Sequence, residues 1–172
     1  MTATVLIRPE LPTDQDAISN VNQLAFGSDA EANLVDALRD IGYVELSLVA
    51  EIAGKIVGHI LFSRVLISGT TGVVESLSLA PMAVLPEFQR QRIGTKLLTV
   101  GLATCRATGH NIVLVLGHPA FYPKFGFSVE LARPLESRFG GGEAWMALEL
   151  VPKALDGVEG RVEYSLPFGG FE

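Results

Sequence analysis

Cysteine is nearly absent: Cys105 stands alone among 172 residues, so no internal disulfide can form and no Cys-rich metal site is available. The histidines His59, His110 and His118 lack metal-ligand spacing, which leaves a structural metal without a donor set. No apolar run approaches the roughly 20 residues that a membrane helix needs. Met1 to Asn20 has charges and prolines where a signal peptide would have its apolar stretch. We therefore expect a soluble, cytoplasmic protein with no membrane partner. Positive charge is in deficit, with 13 Lys and Arg against 19 Asp and Glu and a formal net charge of −6, so nucleic acid is not an expected partner. Low-complexity tracts, internal repeats and linkers are also missing, while hydrophobic residues make up 48% of the chain in a periodic pattern. That combination predicts one globular domain over 1–172, with a core large enough to need neither disulfide nor metal.

The hydrophobic periods predict a mixed order of elements. Thr4 to Arg8 reads as a strand, followed by a helix from about Thr13 to Phe26. A second helix, capped by Ser28 or Asp29, has Leu34, Val35, Leu38 and Ile41 at helical spacing and ends at Gly42. Val44 to Ile52 and Ile56 to Ile67 read as an antiparallel hairpin turned by Ala53-Gly54-Lys55, and Val73 to Val84 as a further strand. Pro81 cannot donate to a ladder, so this strand is expected to bulge or splay there, freeing main-chain groups beyond it. A helix with Ile93, Leu97, Leu98, Gly101, Leu102 and Cys105 on one face runs to about Thr108, and Ile112 to Leu116 has the continuous apolar pattern of a buried parallel strand. Further along, the pattern predicts a short helix over Pro119 to Phe125, strands near Phe127 to Glu130 and over Ala144 to Leu150, and a weaker strand over Val162 to Leu166.

Chemistry is most legible where the strand ending at Val84 meets the helix containing Ile93. The turn between them bears Arg90 and Arg92, with Lys96 following, a local basic patch in an acidic chain. The first amides of a helix lack intrahelical partners and lie at the positive end of its dipole, so a diphosphate can be held there. The chain has neither the Gly-Lys-Ser/Thr end of a P-loop nor a Gly-x-Gly-x-x-Gly turn.

Gln89-Arg90-Gln91-Arg92-Ile93-Gly94 resembles the loop of the GNAT superfamily of N-acetyltransferases: Gln/Arg, two variable residues, Gly, one variable residue, Gly/Ala. Ala120-Phe121-Tyr122-Pro123-Lys124-Phe125-Gly126-Phe127 resembles that superfamily's tyrosine-bearing helix. The phrase Leu116-Gly117-His118-Pro119-Ala120-Phe121-Tyr122 is similar to its YhbS-like bacterial branch. The resemblance implies an α/β (α+β mixed sheet) fold, mostly antiparallel, with a parallel splayed strand pair flanked by helices. It also implies acetyl-CoA as cosubstrate, held by main-chain groups of Met82, Ala83 and Val84 and by the loop Gln89, Arg90, Gln91, Arg92, Ile93, Gly94 and Thr95. Arg92 stands where the family usually has its first glycine, and its side chain could partly close the cradle; a negative φ there would instead let any residue fit, with the side chain turned outward or adding charge to the phosphate site.

The implied reaction is direct attack of a small-molecule amine, or less readily a protein amine, on the thioester. A backbone N–H near Met82 or Ala83 would serve the oxyanion, and Tyr122 would be the general acid for the departing thiolate. Taken without the motif, Tyr122 between Phe121 and Phe125 reads as an interfacial aromatic with a satisfied hydroxyl. Glu75 and His118 are candidate bases, each with a structural reading beside it: a surface carboxylate, and a residue holding the turn before Pro119. Glu31, near Asp29 and Asp36, lies on the segment that borders the acceptor pocket in the family, and doubles as part of a solvated helix face. His59 reads as a hydrogen-bonded core residue and Cys105 as inert packing. A non-catalytic acetyl-CoA or CoA sensor, or a partner-binding module, is the alternative function, and a homodimer through the late strands is a possible assembly.

Overall fold

The computed structural model describes residues 4–171. Eight strands form a mixed sheet: β1 (Val5–Pro9), β2 (Val44–Ile52), β3 (Lys55–Gly69), β4 (Gly72–Val84), β5 (Ile112–Leu116), β6 (Leu135–Glu136), β7 (Trp145–Glu149) and β8 (Gly160–Glu163). Their order is β1-β2-β3-β4-β5-β7, with β8 paired to both β3 and β6. The helices are α1 (Gln15–Phe26), α2 (Ala30–Asp40), α3 (Ile93–Ala107) and the single turn α4 (Val129–Ala132). Contacts divide the chain into two compact units. One comprises the chain up to Phe62 together with Ala80–Ala103; the other comprises Ser63–Leu79 and the chain from Thr104 onward.

In the first unit β1 and β2 are antiparallel, from Val5 opposite Ile52 to Pro9 opposite Leu48. Helix α1 buries Ile18, Val21 and Asn22, and α2 buries Ala32, Leu34, Val35 and Leu38, the helical spacings that the sequence carries. Gly27 ends α1 at φ +73°, donating its N–H to the Gln23 carbonyl at 2.9 Å. Burial of Ile93, Leu97, Leu98 and Leu102 on α3 is worth roughly 1.5–3 kcal/mol per side chain. Glycines let the helix lie close: a Cβ on Gly58 would meet Leu97 at 3.1 Å and Ile93 at 3.2 Å, and one on Gly101 would overlap the Phe62 ring at 2.7 Å.

A buried polar chain crosses this unit. Arg39 donates through Nε and Nη2 to the two carboxylate oxygens of Glu10, each at 3.0 Å, and Ser47 Oγ donates to Glu10 at 2.7 Å. Since Ser47 has spent its proton, it accepts from His59 Nε2 at 2.9 Å; His59 Nδ1, left without a proton, accepts from Asn22 Nδ2 at 3.2 Å. His59 is fully enclosed, and that desolvation holds its pKa down to about 4. Burial pushes the Glu10 carboxyl up, but its bonds from Arg39 and Ser47 outweigh this and hold it below the usual range. His59 is thus the hydrogen-bonded core residue that its apolar strand suggests.

The second unit contains the parallel pair. Leu77 lies opposite Val113 and Ser78 opposite Leu114, both ahead of Pro81. Strand β5 pairs antiparallel with β7 from Ile112 opposite Glu149 to Leu116 opposite Trp145. Its core gathers Val65, Ile67, Ile112, Leu114, Leu135, Trp145 and Val162, and the Trp145 indole N–H is satisfied by the Leu135 carbonyl at 2.9 Å. Cys105 is buried in this unit as packing.

At Pro81 the expectation holds in part: β4 runs without interruption from Gly72 to Val84, with a cis Ala80–Pro81 peptide and Pro81 buried in the strand, but its pairing with β5 stops at Ser78 opposite Leu114, ahead of Pro81, as a splay requires. Three further expectations are corrected. Over Phe127 to Glu130 there is no strand but a lone bridge, Ser128 to Ala147, leading into α4. Ser128 Oγ accepts the Leu131 N–H at 3.2 Å and Glu130 lies in the first turn, so capping chemistry overrides the short apolar run. The tyrosine helix is a 3₁₀ turn, Tyr122–Phe125, ended by Gly126 at φ +98°. The last strand stops at Glu163, ahead of a 3₁₀ stretch over Leu166–Phe171, where Pro167 would lack a ladder donor. That strand pairs within the chain, Leu66 opposite Glu163 on β3 and Leu135 opposite Gly160 on β6.

Candidate functional site

The loop after β4 is pinned by its own side chains. A 3₁₀ turn spans Pro86–Phe88, the Leu85 N–H reaches the Val57 carbonyl at 2.8 Å, and Gln89 Nε2 donates back to the Val84 carbonyl at 3.0 Å. Gln91 Nε2 donates to the Glu87 carbonyl at 3.3 Å. The two glutamines thus fold the loop onto itself, and the Val84 carbonyl is already engaged.

Between the glutamines the backbone turns left-handed, with Arg90 at φ +64° and Arg92 at φ +65°. The negative φ expected at Arg92 is therefore wrong. This residue adopts the backbone of the glycine that it replaces, although a side chain there is disfavoured by about 1–2 kcal/mol. Both arginines are exposed, and among the described residues neither they nor Lys96 forms an ion pair. The ladder of α3 opens with the Lys96 N–H on the Arg92 carbonyl at 3.1 Å, so the amides of Ile93, Gly94 and Thr95 precede it. Ile93 is buried and anchors the helix start; Gly94 and Thr95 are half-buried, as is Met82, while Ala83 is buried. Chemically, this stretch offers converging amides and unspent positive charge to an anion.

In the second unit Tyr122 opens its 3₁₀ turn and is only 6% exposed. The ring meets Phe121 edge-on at 5.1 Å and Phe127 at 5.4 Å between centroids. Burial pushes its pKa up to about 12, so the phenol keeps its proton at neutral pH. Among the described residues nothing hydrogen-bonds its hydroxyl, which separates it from Tyr164, whose hydroxyl pairs with Ser137 Oγ at 2.8 Å. The ring packs against Phe121 and Phe127 as an interfacial aromatic does, and its hydroxyl is left to solvent or a ligand. His118 is exposed, and it is its carbonyl that holds the turn, accepting the Phe121 N–H at 3.1 Å and the Tyr122 N–H at 3.4 Å. Glu75 is exposed on β4. Glu31 is half-buried in the first turn of α2, accepting from Ser28 Oγ at 3.3 Å.

Sequence reasoning missed a groove of about 470 Å³ in the second unit, lined by Val129, Arg133, Leu135, Glu136, Ser137, the glycines 140–142 and Trp145. Its only signal was the irregular, glycine-rich composition of that stretch. Among the described residues no cluster of His, Cys, Asp or Glu could hold a metal ion, and no helix is long and apolar enough to cross a membrane.

The fold and the loop define an α/β protein with a parallel strand pair and a helix start whose exposed arginines and amides suit an anion. Similarity to known proteins sharpens this. The profile of the acetyltransferase (GNAT) domain matches residues 44–129. The uncharacterised N-acetyltransferase YhbS of Escherichia coli (strain K12) is 37% identical over 169 residues, 97% of this chain and 100% of that protein. The crystal structure of E. coli YhbS in complex with CoA superposes with a TM-score of 0.91 at 35% identity, covering 100% of this chain and 96% of that one. A GNAT family acetyltransferase from Brucella melitensis, in complex with acetyl-CoA, gives a TM-score of 0.81 at 34% identity, covering 97% and 99%. The chain belongs to the GNAT family of N-acetyltransferases.

Proposed function

We propose that this protein transfers the acetyl group of acetyl-CoA to a primary amine of a small molecule. The observation that carries the reading is the loop at the start of α3. Arg90 and Arg92 keep a left-handed backbone, Arg92 at the position where the family motif calls for glycine, and among the described residues the amides of Ile93, Gly94 and Thr95 are left to meet a diphosphate. The residues fit such a group: Arg90, Arg92 and Lys96 add charge, and Met82 and Ala83 offer main-chain groups to a pantetheine arm. The β4–β5 register, with Leu77–Val113 and Ser78–Leu114 ahead of Pro81, supports this. So do the CoA and acetyl-CoA complexes of the E. coli and Brucella relatives.

In the proposed reaction the amine nitrogen attacks the thioester carbonyl carbon. The C–N bond forms, the C–S bond breaks, and Tyr122 gives its proton to the departing sulfur, while the proton that the nitrogen sheds on becoming an amide returns the phenol to its neutral form through solvent. The ammonium must first lose a proton, to water or to one of the exposed groups Glu75 and His118. Glu31 and the acidic balance of the chain support a cationic acceptor.

Calorimetric titration with acetyl-CoA, followed by thiol release against polyamines, amino acids and aminoglycosides, tests the reading. Saturable binding and amine-dependent thiol release are expected. Absence of binding would overturn the cosubstrate assignment; binding without release on any amine would favour a CoA sensor.

A further inference from the structure

We propose that Gly117 is a positioning residue, whose missing side chain sets where the Tyr122 ring, and so its hydroxyl, lies. This rests on the general-acid reading of Tyr122. Strand β5 ends at Leu116, and the next N–H, that of Gly117, continues the pairing to β7 by reaching the Ala144 carbonyl at 2.9 Å. Its Cα is thereby held on the sheet and cannot retreat. A Cβ built on it would overlap the Tyr122 ring, at 2.9 Å from Cδ2 and 3.3 Å from Cζ, and closer still to Cε2. Real Cβ atoms do not approach so near, so with any other residue the ring must move.

The ring has little freedom to do so without displacing its hydroxyl. Phe121 and Phe127 stand edge-on against it, and both the Phe121 and the Tyr122 amides are tied to the His118 carbonyl. Nor does backbone conformation explain the glycine. Gly117 is not among the residues with positive φ, unlike Gly126 at +98° on the other side of the turn. Alanine therefore fits the backbone at 117 and collides only with the ring, which makes the substitution a selective probe of this contact. No hydrogen bond to the Tyr122 hydroxyl exists among the described residues to recapture it once the ring has shifted. Since proton transfer needs heavy-atom distances of about 2.6–3.2 Å, a displacement on the order of 1 Å takes the acid out of reach.

The test is a double-mutant cycle on the full chain, using Gly117→Ala, Tyr122→Phe and their combination. It is read as thiol release from acetyl-CoA, with the panel amine that turns over fastest, and as melting temperature. Phenylalanine keeps the ring atoms that Gly117 makes room for and removes only the hydroxyl. We expect Gly117→Ala to lower kcat at least tenfold with KM for acetyl-CoA within about twofold, and to have no further effect on kcat in the Tyr122→Phe background. Its melting temperature should fall by the same amount in both backgrounds. An unchanged kcat in Gly117→Ala, or an equal loss of kcat in both backgrounds, would overturn the proposal.

If Gly117→Ala does not fold, the combination with Tyr122→Ala, which removes the ring, should recover a folded protein. Failure of that rescue would overturn the contact itself. An unaltered rate in Tyr122→Phe alone would overturn the acid reading, and with it the positioning role of Gly117. The melting cycle would then report separately whether the contact exists.

Discussion

The loop after β4 and the turn after β5 are both short and both begin where a strand ends, yet they are built on opposite principles. In the loop the side chains face solvent and the backbone is unusual, left-handed at Arg90 and Arg92, with free amides at the head of α3. In the turn Phe121, ahead of Tyr122, has an ordinary right-handed backbone at φ −98°, and the Tyr122 side chain is enclosed. A loop proposed to bind through main-chain groups and exposed charge depends on its conformation and on that charge, not on the shapes of its side chains. A turn that presents one hydroxyl tolerates nothing that moves or removes that group.

Tyr122→Phe breaks the comparison on the side of the turn and has the largest expected effect. Turnover should fall about 100-fold or more while acetyl-CoA affinity stays within about twofold, measured by steady-state thiol release and by calorimetry. Equal losses in both would mean that the turn, like the loop, is a binding element.

Acid pH tests a different property, the stability of the unit that contains the loop. His59 has a folded pKa of about 4 against an ordinary value of 6.5, so between those pH values the unfolded chain binds the proton that the folded chain refuses. Stability should therefore fall as pH drops from 6.5 towards 4, by on the order of 3 kcal/mol, because burial deprives a charged His59 of water; its second N–H would also face the Asn22 amide donor. Urea denaturation as a function of pH measures this slope, and His59→Gln should flatten it. An unchanged slope in that variant would assign the acid sensitivity elsewhere.

The smallest effect belongs to Arg92→Gly. Glycine relieves about 1–2 kcal/mol of left-handed strain but gives back about 0.4–1 kcal/mol through a freer unfolded chain, so the net stabilisation should lie between about 0 and 1.6 kcal/mol. Acetyl-CoA affinity should weaken a few-fold at low salt and converge with the parent at high salt, since one unpaired cation is lost. Tighter binding would show that the arginine obstructs the loop.

Much of this division was legible in the sequence. Strands Val44–Ile52 and Ile112–Leu116 lie where alternation and a continuous apolar run put them, because burial on one face and on both faces leaves those signatures. The basic turn before Ile93 was equally plain. The left-handed arginines were not, since local sterics argue against them and only the loop as a whole imposes them. Phe127 to Glu130 was misread because four residues fit either period and the cap at Ser128 decides. The His59 chain and the Gly117 contact depend on spatial proximity: Asn22 is 37 residues from His59, and the atoms against Gly117 belong to a side chain whose direction no periodicity encodes.

The proposed contrast between a loop that binds and a turn that catalyses is tested most directly by measuring acetyl-CoA affinity and saturated turnover side by side in two variants. In Arg90→Ala/Arg92→Ala, alanine keeps the same backbone constraint and removes only charge; in Tyr122→Phe only a hydroxyl is lost. The account predicts weakened affinity with turnover retained in the first, and retained affinity with turnover lost in the second. Wild-type affinity in the loop variant, or parallel loss of both quantities in either variant, would contradict it.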